Sequence, residues 1–550
     1  MAAGGAPTNR HGVEAETSAG SDRVLDFYRD ATVLVTGGTG FLGKVLLEKI
    51  LRCLCVRKVF LLIRPKNSRR PEERLQQLLK DAIFDRLRLE TSTERLLERL
   101  EAVEISLGAS DPTGLGIAPD TEERLLQETE VIFNVLASVK FNECLSTAIG
   151  TNVGGTRRVL LLARRMQRLR SMVHVSTLYS NCDRTEIGER VYPDVRLNPD
   201  TVLQLSTMLS PEEMDGLQHC LVGALPNTYT FSKKCAETLI QQQFSDLPVG
   251  IFRPPIVLST YREPIAGWTD NLNGPAGLCL WTVKGYVHVI WGNRQRRANL
   301  VPVDYCVNAM LVAGYDVAER RKCPRAKEPD GDRWEREQLP VPVYNYMYDE
   351  SNLTWGRYMS LVSLGFDGLL HRLWWNHSYT IVPNRALFRA LSVCWHTVPA
   401  WLLDVVRRLR GKSPRYGKLV AKTTRFLETM SYFGLREWTV ANENVVRLRT
   451  LLSPTEADLL EFDLSTVDWD EYFRAYIPGI RRYVLGESTA PTARWTARCN
   501  RRIHFLCRLL HKLLWILLCL KLGHRLKNQE FAEFHRNVFR DFKFQEVPLE

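Results

Sequence analysis

The stretch Thr36-Gly37-Gly38-Thr39-Gly40-Phe41-Leu42-Gly43 decides the fold. It follows an apolar β-type run, Thr32-Val33-Leu34-Val35, and opens a helical pattern from Lys44 to Leu51. Glycine recurs at every third position, 37, 40 and 43. A strand, a tight glycine turn and a helix N-terminus together make an anion site, because unpaired backbone N–H groups and the helix dipole point at a phosphate. Glycine lets that backbone approach a pyrophosphate with no Cβ in the way. A bare glycine pattern carries little information. The strand before it and the helix after it are what identify dinucleotide binding over an ordinary βα turn.

The second strand bears on which dinucleotide. Lys58-Val59-Phe60-Leu61-Leu62-Ile63 is an apolar run that ends in Arg64-Pro65-Lys66. A site for NAD usually carries Asp or Glu here, accepting from the ribose hydroxyls. Arg64, with Lys66, Arg69 and Arg70 close behind, instead offers a guanidinium suited to a 2′-phosphate. The expected cofactor is therefore NADPH. The alternative for these residues is a solvated basic loop.

Further along, Tyr229-Thr230-Phe231-Ser232-Lys233 places Tyr and Lys at i and i+4, on one helix face. A nearby ammonium stabilises tyrosinate, so Lys233 is expected to lower the Tyr229 pKa from its ordinary value of about 10. The phenol can then pass a proton to a carbonyl oxygen as hydride arrives. Upstream, Val173-His174-Val175-Ser176-Thr177 is an apolar strand ending in hydroxyls. In an open α/β sheet such hydroxyls sit over the ligand crevice. A Tyr-x-x-x-Lys pair also arises by accident on surface helices; its position after a glycine turn and a hydroxyl-tipped strand gives it weight.

These motifs together resemble an extended short-chain dehydrogenase/reductase, and the finer text resembles an alcohol-forming fatty acyl-CoA reductase. The matching stretches are Val35 to Lys44, Leu62 to Lys66, His174 to Thr177, Asn227 to Lys233, Gly267-Trp268-Thr269-Asp270-Asn271-Leu272-Asn273-Gly274-Pro275 and Leu300 to Asp304. The resemblance continues through Tyr432-Phe433, Trp438, Asp463, Asp468-Trp469 and Tyr472 to Gly479-Ile480-Arg481, covering roughly Val33 to Glu487. It implies Thr177, Tyr229 and Lys233 as catalytic residues. It implies cofactor contacts from Thr36, Gly37, Gly38, Thr39, Gly40, Phe41, Leu42, Gly43, Arg64, Ala137, Asn152, Tyr229, Lys233, Pro254 and Ile256. It implies a long-chain acyl-CoA substrate and a primary alcohol product. Three positions depart from the family pattern. Gly108-Ala109 stands where Gly-Asp is usual after the third strand, Leu136-Ala137-Ser138 where Ala-Ala-Thr is usual, and Asn134 in place of a His.

Composition agrees. The chain has 550 residues, 45% of them hydrophobic, enough for two domains with substantial cores. Its 13 cysteines show no zinc-like pairing, since Cys53 and Cys55 are wrongly spaced, and no metal is expected. The N-terminus is small and polar with no apolar core, so no secretory signal is expected, and reduced thiols on a cytosolic face are. The net charge of +12 points to anionic partners. A membrane surface and phosphorylated cofactors fit it; no nucleic-acid module is visible, so nucleic acid is not expected.

The expected architecture is α/β: a Rossmann-like doubly wound parallel sheet with a mostly helical C-terminal domain and a membrane-associated helix at the end. Residues 1–25 read as a disordered polar segment. Residues 26–360 read as the NADP-binding reductase domain with its substrate-binding part, because strand-like and helical runs alternate. Arg320 to Glu337, charged and Pro-containing, reads as an insertion or linker. Residues 385–487 read as the helical domain. Residues 494–550 form a basic tail whose apolar run, Leu513 to Leu520, is too short to span alone, since a span needs roughly 20 apolar residues. His504, Arg508, His511 and Lys512 share one face beside it, which favours an in-plane amphipathic helix over a tilted span. Ala386 to Val406, broken by Arg389, Pro399 and Asp404, reads as a second membrane contact, a lipid-lined wall or a buried core helix. The expected location is the cytosolic face of an intracellular membrane, peroxisome or endoplasmic reticulum. Two rival readings stand: another extended reductase, such as a steroid dehydrogenase or sugar-nucleotide epimerase, and a non-catalytic scaffold. The C-terminal half argues against the first and the intact Thr177, Tyr229 and Lys233 against the second.

Overall fold

The computed structural model describes residues 22–486 apart from 66–68, 107–113, 142, 193–197, 323–339, 349–351 and 365–378, together with 509 and 513. Lys66, Ala109, most of the Arg320–Glu337 stretch, and the tail reading on His504, Arg508, His511, Lys512 and the Leu513–Leu520 run (Leu513 apart) lie outside the described residues, as does the segment before residue 22.

Seven parallel strands form the central sheet: β1 (Thr32–Thr36), β2 (Lys58–Ile63), β3 (Leu100–Glu104), β4 (Val131–Asn134), β5 (Ser171–Val175), β6 (Val249–Arg253) and β7 (Val343–Asn345). Their spatial order is β7-β6-β5-β4-β1-β2-β3. Val33 of β1 pairs with Val59 of β2 on one side and with Val131 of β4 on the other. β1, β4, β5 and β6 are buried along their whole length, as strands of a parallel sheet covered on both faces must be. Alternate residues feed two cores. Val33, Val35, Val59 and Leu61 pack on one face; Leu34, Phe60, Leu62 and Ile132 pack on the other.

Four helices matter for the site. α1 (Phe41–Cys53) follows β1, and α2 (Pro71–Leu79) follows β2. α3 (Thr228–Gln243) lies against the face that holds Leu34 and Phe60, burying Phe231, Cys235, Leu239 and Ile240. α4 (Val303–Lys322), nearly all buried, covers the opposite face. The strand order reverses between β1 and β4, so the crevice at their C-terminal ends is where a doubly wound sheet binds its ligand.

The C-terminal part is helical. α5 (Arg385–Ser392), a π-turn over Val393–Thr397 and α6 (Val398–Leu409) are followed by α7 (Tyr416–Leu435) and, later, α8 (Trp469–Gly479). This part is built onto the parallel-sheet core. Thr439–Val440 pairs in parallel with Glu186–Ile187, and the ring groups of Tyr432 and Trp438 both donate to the Cys182 carbonyl, at 2.9 and 3.2 Å.

Candidate active site

The glycine turn has the geometry of a phosphate cradle. Gly37 has φ +69°, and a Cβ there would lie 2.8 Å from the Val135 and Leu136 backbone. A Cβ on Gly43 would come within 2.3 Å of the Gly37 carbonyl oxygen. Any side chain at either position would break the turn that presses the start of α1 against β4. Gly40 is the N-cap of α1, with no side chain occupying the free N–H groups. The Thr36 hydroxyl donates to Asn134 Oδ1 at 2.7 Å and accepts from the Leu136 N–H at 3.1 Å, which locks the ends of β1 and β4 together. Asn134 also contacts His174 Nδ1 at 3.0 Å, so the departure at Asn134 is absorbed into a buried polar network.

Arg64 is exposed at the end of β2. The structure adds a neighbour that sequence reading missed: Arg74, on α2, donates to the Arg64 carbonyl. Partial burial lowers the Arg74 pKa, and the Arg64 charge beside it adds to the shift. Two like charges this near each other are relieved by an anion beside them.

At the other end of the crevice, the Asn227 side chain caps α3 by accepting from the Thr230 N–H at 2.9 Å. The cap puts Tyr229 in the first turn and Lys233 one turn later. Lys233 Nζ donates to the Val175 carbonyl at 2.7 Å, tying α3 to the last residue of β5. The Thr177 hydroxyl, just beyond that strand, donates to the Pro254 carbonyl at 3.4 Å and accepts from the Tyr179 N–H at 3.3 Å, and it is near enough to the Tyr229 hydroxyl to act on its acidity. Thr177 and Lys233 are thus both held at the end of β5, with Tyr229 one helical turn before Lys233.

Their electrostatics differ from the expectation. Burial pushes the Tyr229 hydroxyl up to about 12, and the neighbouring Thr177 hydroxyl only partly offsets this. The expected depression of Tyr229 by Lys233 is not found: burial dominates, and Thr177 is the group that opposes it. Burial lowers Lys233 to about 8 against the opposing charge of Glu237. The phenol is thus neutral and keeps a proton to give.

Beside them, Ser176 is not free to act on a ligand: its hydroxyl donates to Glu237 Oε1 at 2.5 Å. Ser180 donates to the same oxygen at 2.8 Å, and Arg253 binds both carboxylate oxygens. Glu237 was missed from sequence, although it lies one further turn along the face that carries Tyr229 and Lys233. Asn152 occupies a π-turn, Gly150–Gly154, a distortion that recurs at functional sites. Its side chain exchanges hydrogen bonds with the Ser138 backbone, at 2.8 and 3.1 Å, and donates to Ser232 at 2.8 Å. The loop after β4, with Ala137, is thereby joined to the catalytic helix. Pro254 lies across from Thr177, its carbonyl accepting from the Leu178 N–H at 2.9 Å, and Ile256 opens the short strand Ile256–Leu258.

An aromatic wall stands beside Tyr229. The Phe141 ring lies 5.9 Å from that of Tyr229 and 5.8 Å from that of Phe433, at the end of α7. Phe433 in turn packs edge-on against Tyr179 at 4.8 Å. Among the described residues no three His, Cys, Asp or Glu side chains gather as metal ligands.

The family described as male sterility protein matches residues 35–310 through its NAD-binding domain and residues 395–487 through its Sterile domain. The fatty acyl-CoA reductase wat of Drosophila melanogaster is 35% identical over 461 residues, 84% of this chain and 85% of that protein. This chain belongs to the fatty acyl-CoA reductase family. Fatty acyl-CoA reductase 1 of Homo sapiens is 34% identical over 487 residues, 88% of this chain and 90% of its own length. As a family member the chain is an NAD(P)-dependent oxidoreductase, and its glycine cradle and Tyr–Lys pair fit that chemistry. Solved structures carry the fold. The terminal R domain from the myxalamid PKS-NRPS biosynthetic pathway superposes with a TM-score of 0.52 at 18% identity, covering 84% of this chain and 93% of that one. The R domain of a non-ribosomal peptide synthetase from Mycobacterium tuberculosis gives 0.50 at 19% identity, over 85% and 98%.

Proposed function

We propose that this protein reduces long-chain fatty acyl-CoA to the primary fatty alcohol with NADPH, releasing coenzyme A, through an enzyme-bound aldehyde. The observation that carries this reading is the convergence of Thr177, Tyr229 and Lys233 at the end of β5, across the crevice from the glycine cradle of β1 and α1. The residues fit the cofactor. The backbone from Thr36 to Gly43 would hold the pyrophosphate and Arg64 with Arg74 the 2′-phosphate. Ala137, Asn152, Pro254 and Ile256 would flank the nicotinamide, and Lys233 its ribose. When bound, the nicotinamide supplies hydride, one equivalent to take the thioester to the aldehyde and a second to take the aldehyde to the alcohol.

The protein's own part is acid catalysis and exclusion of water. Tyr229, kept protonated by burial, donates to the carbonyl oxygen as negative charge develops there, with Thr177 as second donor. Lys233 is the next proton source behind it. No cysteine nucleophile is required, because the attacking species comes from the cofactor. The Phe141–Phe433 wall keeps the reacting carbon dry, which strengthens each of these interactions. Residues 26–360 serve as the reductase domain and 385–487 as the acyl-side domain. A tail on the cytosolic face of a peroxisomal or endoplasmic reticulum membrane suits a substrate and product that both partition into lipid.

The test is an assay of purified full-length protein on long-chain acyl-CoA with NADPH and with NADH. The expected outcome is two NADPH consumed per coenzyme A released, fatty alcohol as the product, and poor turnover with NADH. Turnover of a steroid or a nucleotide sugar with none of acyl-CoA would sink the reading.

A further inference from the structure

Arg385 to Leu409 is helical throughout, and by length and composition alone it could cross a membrane. Its geometry says otherwise. Immediately after Leu409 the chain turns at Gly411 and runs back as α7. The turn is fixed by Asp404, a buried carboxylate near the end of α6, whose oxygens accept from the N–H groups of Arg415, Tyr416 and Gly417 at 2.8, 3.0 and 2.8 Å. Arg407 Nε adds a bond to the Ser413 carbonyl at 2.9 Å. A helix clamped by its own return arm is one arm of a hairpin, and this return arm carries Lys418, Lys422, Arg425 and Glu428, too many charges to cross beside it.

The outer face of that arm is apolar. Six of the fourteen strongly exposed large hydrophobic side chains among the described residues fall here: Val393, Val398, Trp401, Leu402, Val406 and Leu409. Trp401 is 61% exposed and Leu409 82%. On α6 they form a single stripe over an arc of about 140°, at 3.6 residues per turn. The buried Ala400 and Asp404 sit on the far side of the helix. Cations border the stripe. Arg408 lies beside Trp401 on one flank, Arg410 beside Val406 on the other, and Lys412 follows in the turn; all three are exposed. From Arg385 to Leu435 the chain carries ten Lys and Arg against two acidic residues, one of them the buried Asp404. An apolar stripe flanked by basic residues, on a helix that cannot span, is the pattern of an in-plane membrane helix.

We infer that α6 is a docking surface for an anionic phospholipid bilayer. Trp401, Leu402 and Leu409 enter the acyl-chain boundary, and Arg408, Arg410 and Lys412 meet the headgroup phosphates. The charge excess selects a lipid surface over a second copy of this chain, whose matching face would repel it. The surface also has a consequence for the active site. α7 begins at this hairpin and carries Phe433, which packs on Phe141, near its far end, so docking would hold at the bilayer the helix that builds the aromatic wall.

The test is photo-crosslinking of the full-length protein, with benzoylphenylalanine placed at Leu402 or Leu409. Control sites are Leu89 and Met208, which are 89% and 80% exposed but isolated. On phosphatidylserine-containing vesicles, phospholipid adducts at Leu402 and Leu409 should exceed those at the controls at least tenfold. They should fall at least threefold on pure phosphatidylcholine, and equally in the triple variant Arg408→Glu, Arg410→Glu, Lys412→Glu with unchanged circular dichroism. Adduct levels no higher than at Leu89, adducts to a second copy of the chain in place of lipid, or equal labelling on neutral and anionic vesicles would each overturn the inference. None of these readouts depends on the reaction, so a failure here is distinct from failure of the acyl-CoA assay.

Discussion

Arg253, the last residue of β6, binds both carboxylate oxygens of Glu237 on α3, at 2.9 and 2.6 Å, with neither side chain open to solvent. The pair spans the sheet and the helix that carries Tyr229 and Lys233. It also captures the Ser176 and Ser180 hydroxyls, so the end of β5 and the start of the Thr177 turn are held from behind. Burial alone would raise the Glu237 pKa, but the Arg253 charge and the hydrogen bonds outweigh it and leave the carboxyl below its ordinary range.

Removing one partner of such a pair leaves a buried charge uncompensated, at a cost of about 3–5 kcal/mol. Glu237→Gln should therefore lower the midpoint of denaturant unfolding sharply. The sign with pH follows from the lowered carboxyl. Its contribution is full above the unfolded-state value and is lost as pH falls through the folded-state value. The stability gap between wild type and variant should accordingly be widest near neutrality and close in acid. A gap that stays constant down to pH 3 would show that the charge is not what Glu237 contributes.

Tyr229→Phe removes the proton donor while keeping the ring that packs on Phe141. Cofactor affinity, followed by fluorescence titration with NADPH, should be nearly unchanged. Alcohol formation should fall by about a hundredfold or more, the scale of general acid catalysis. Retention of more than about a tenth of the wild-type rate would remove Tyr229 from that role.

Lys233 sets the alkaline limit. Burial lowers it to about 8 in the free protein, so it is charged below that pH and neutral above it. If the ammonium is needed to hold the ribose, kcat/KM for NADPH should decline above pH 8, approaching about tenfold per unit, since this parameter reports the free enzyme. Tyr229, at about 12, adds no limb in this range. Lys233→Arg, whose charge persists, should be slower but flat across pH 7 to 9.5. A wild-type profile flat over the same interval contradicts the assignment.

Much of this site was legible in the sequence, and the reason is local. The strand Lys58–Ile63 was read with its observed bounds because a doubly buried parallel strand is a continuous apolar run bounded by polar residues. The glycine turn and the Tyr–Lys pair are motifs whose geometry is set within one turn or one helix. What escaped was set by tertiary structure. Arg74 reaches Arg64 only through the fold of α2. The lowered Lys233 and raised Tyr229 follow from depth of burial, which spacing does not reveal. The Phe141–Phe433 contact joins segments far apart in the chain. The stretch Ala386 to Val406 kept three readings open, a membrane contact, a lipid-lined wall and a buried core helix, because its apolar content is the same in each and only the fold shows which of its faces is covered.

Cofactor choice is testable at the end of β2. Arg64→Asp would place a carboxylate where a 2′-phosphate is expected and beside the Arg74 guanidinium. The KM for NADPH should rise at least tenfold, about 1.4 kcal/mol or more of lost interaction, and the gap to NADH should narrow. Arg74→Ala should act in the same direction with a smaller effect, because it removes a charge without adding a repulsive one. Unchanged discrimination in the Arg64→Asp variant would refute the assignment.

Phe433 tests whether the C-terminal helices reach the chemistry. Its ring is buried between Phe141 and Tyr179, at 5.8 and 4.8 Å. Truncation to Ala would open a core cavity costing about 3–5 kcal/mol, so Phe433→Leu is the informative variant. It keeps most of the apolar volume but loosens the wall against which Phe141, and through it Tyr229, is packed. If this wall shapes the acyl site, kcat/KM for long-chain acyl-CoA should drop about tenfold, the effect of a methylene-sized change in an apolar pocket. NADPH affinity, set on the far side of the crevice, should stay within about twofold by fluorescence titration. Equal losses for both ligands would mean that the substitution disturbs the fold as a whole. No loss for acyl-CoA would place the substrate elsewhere.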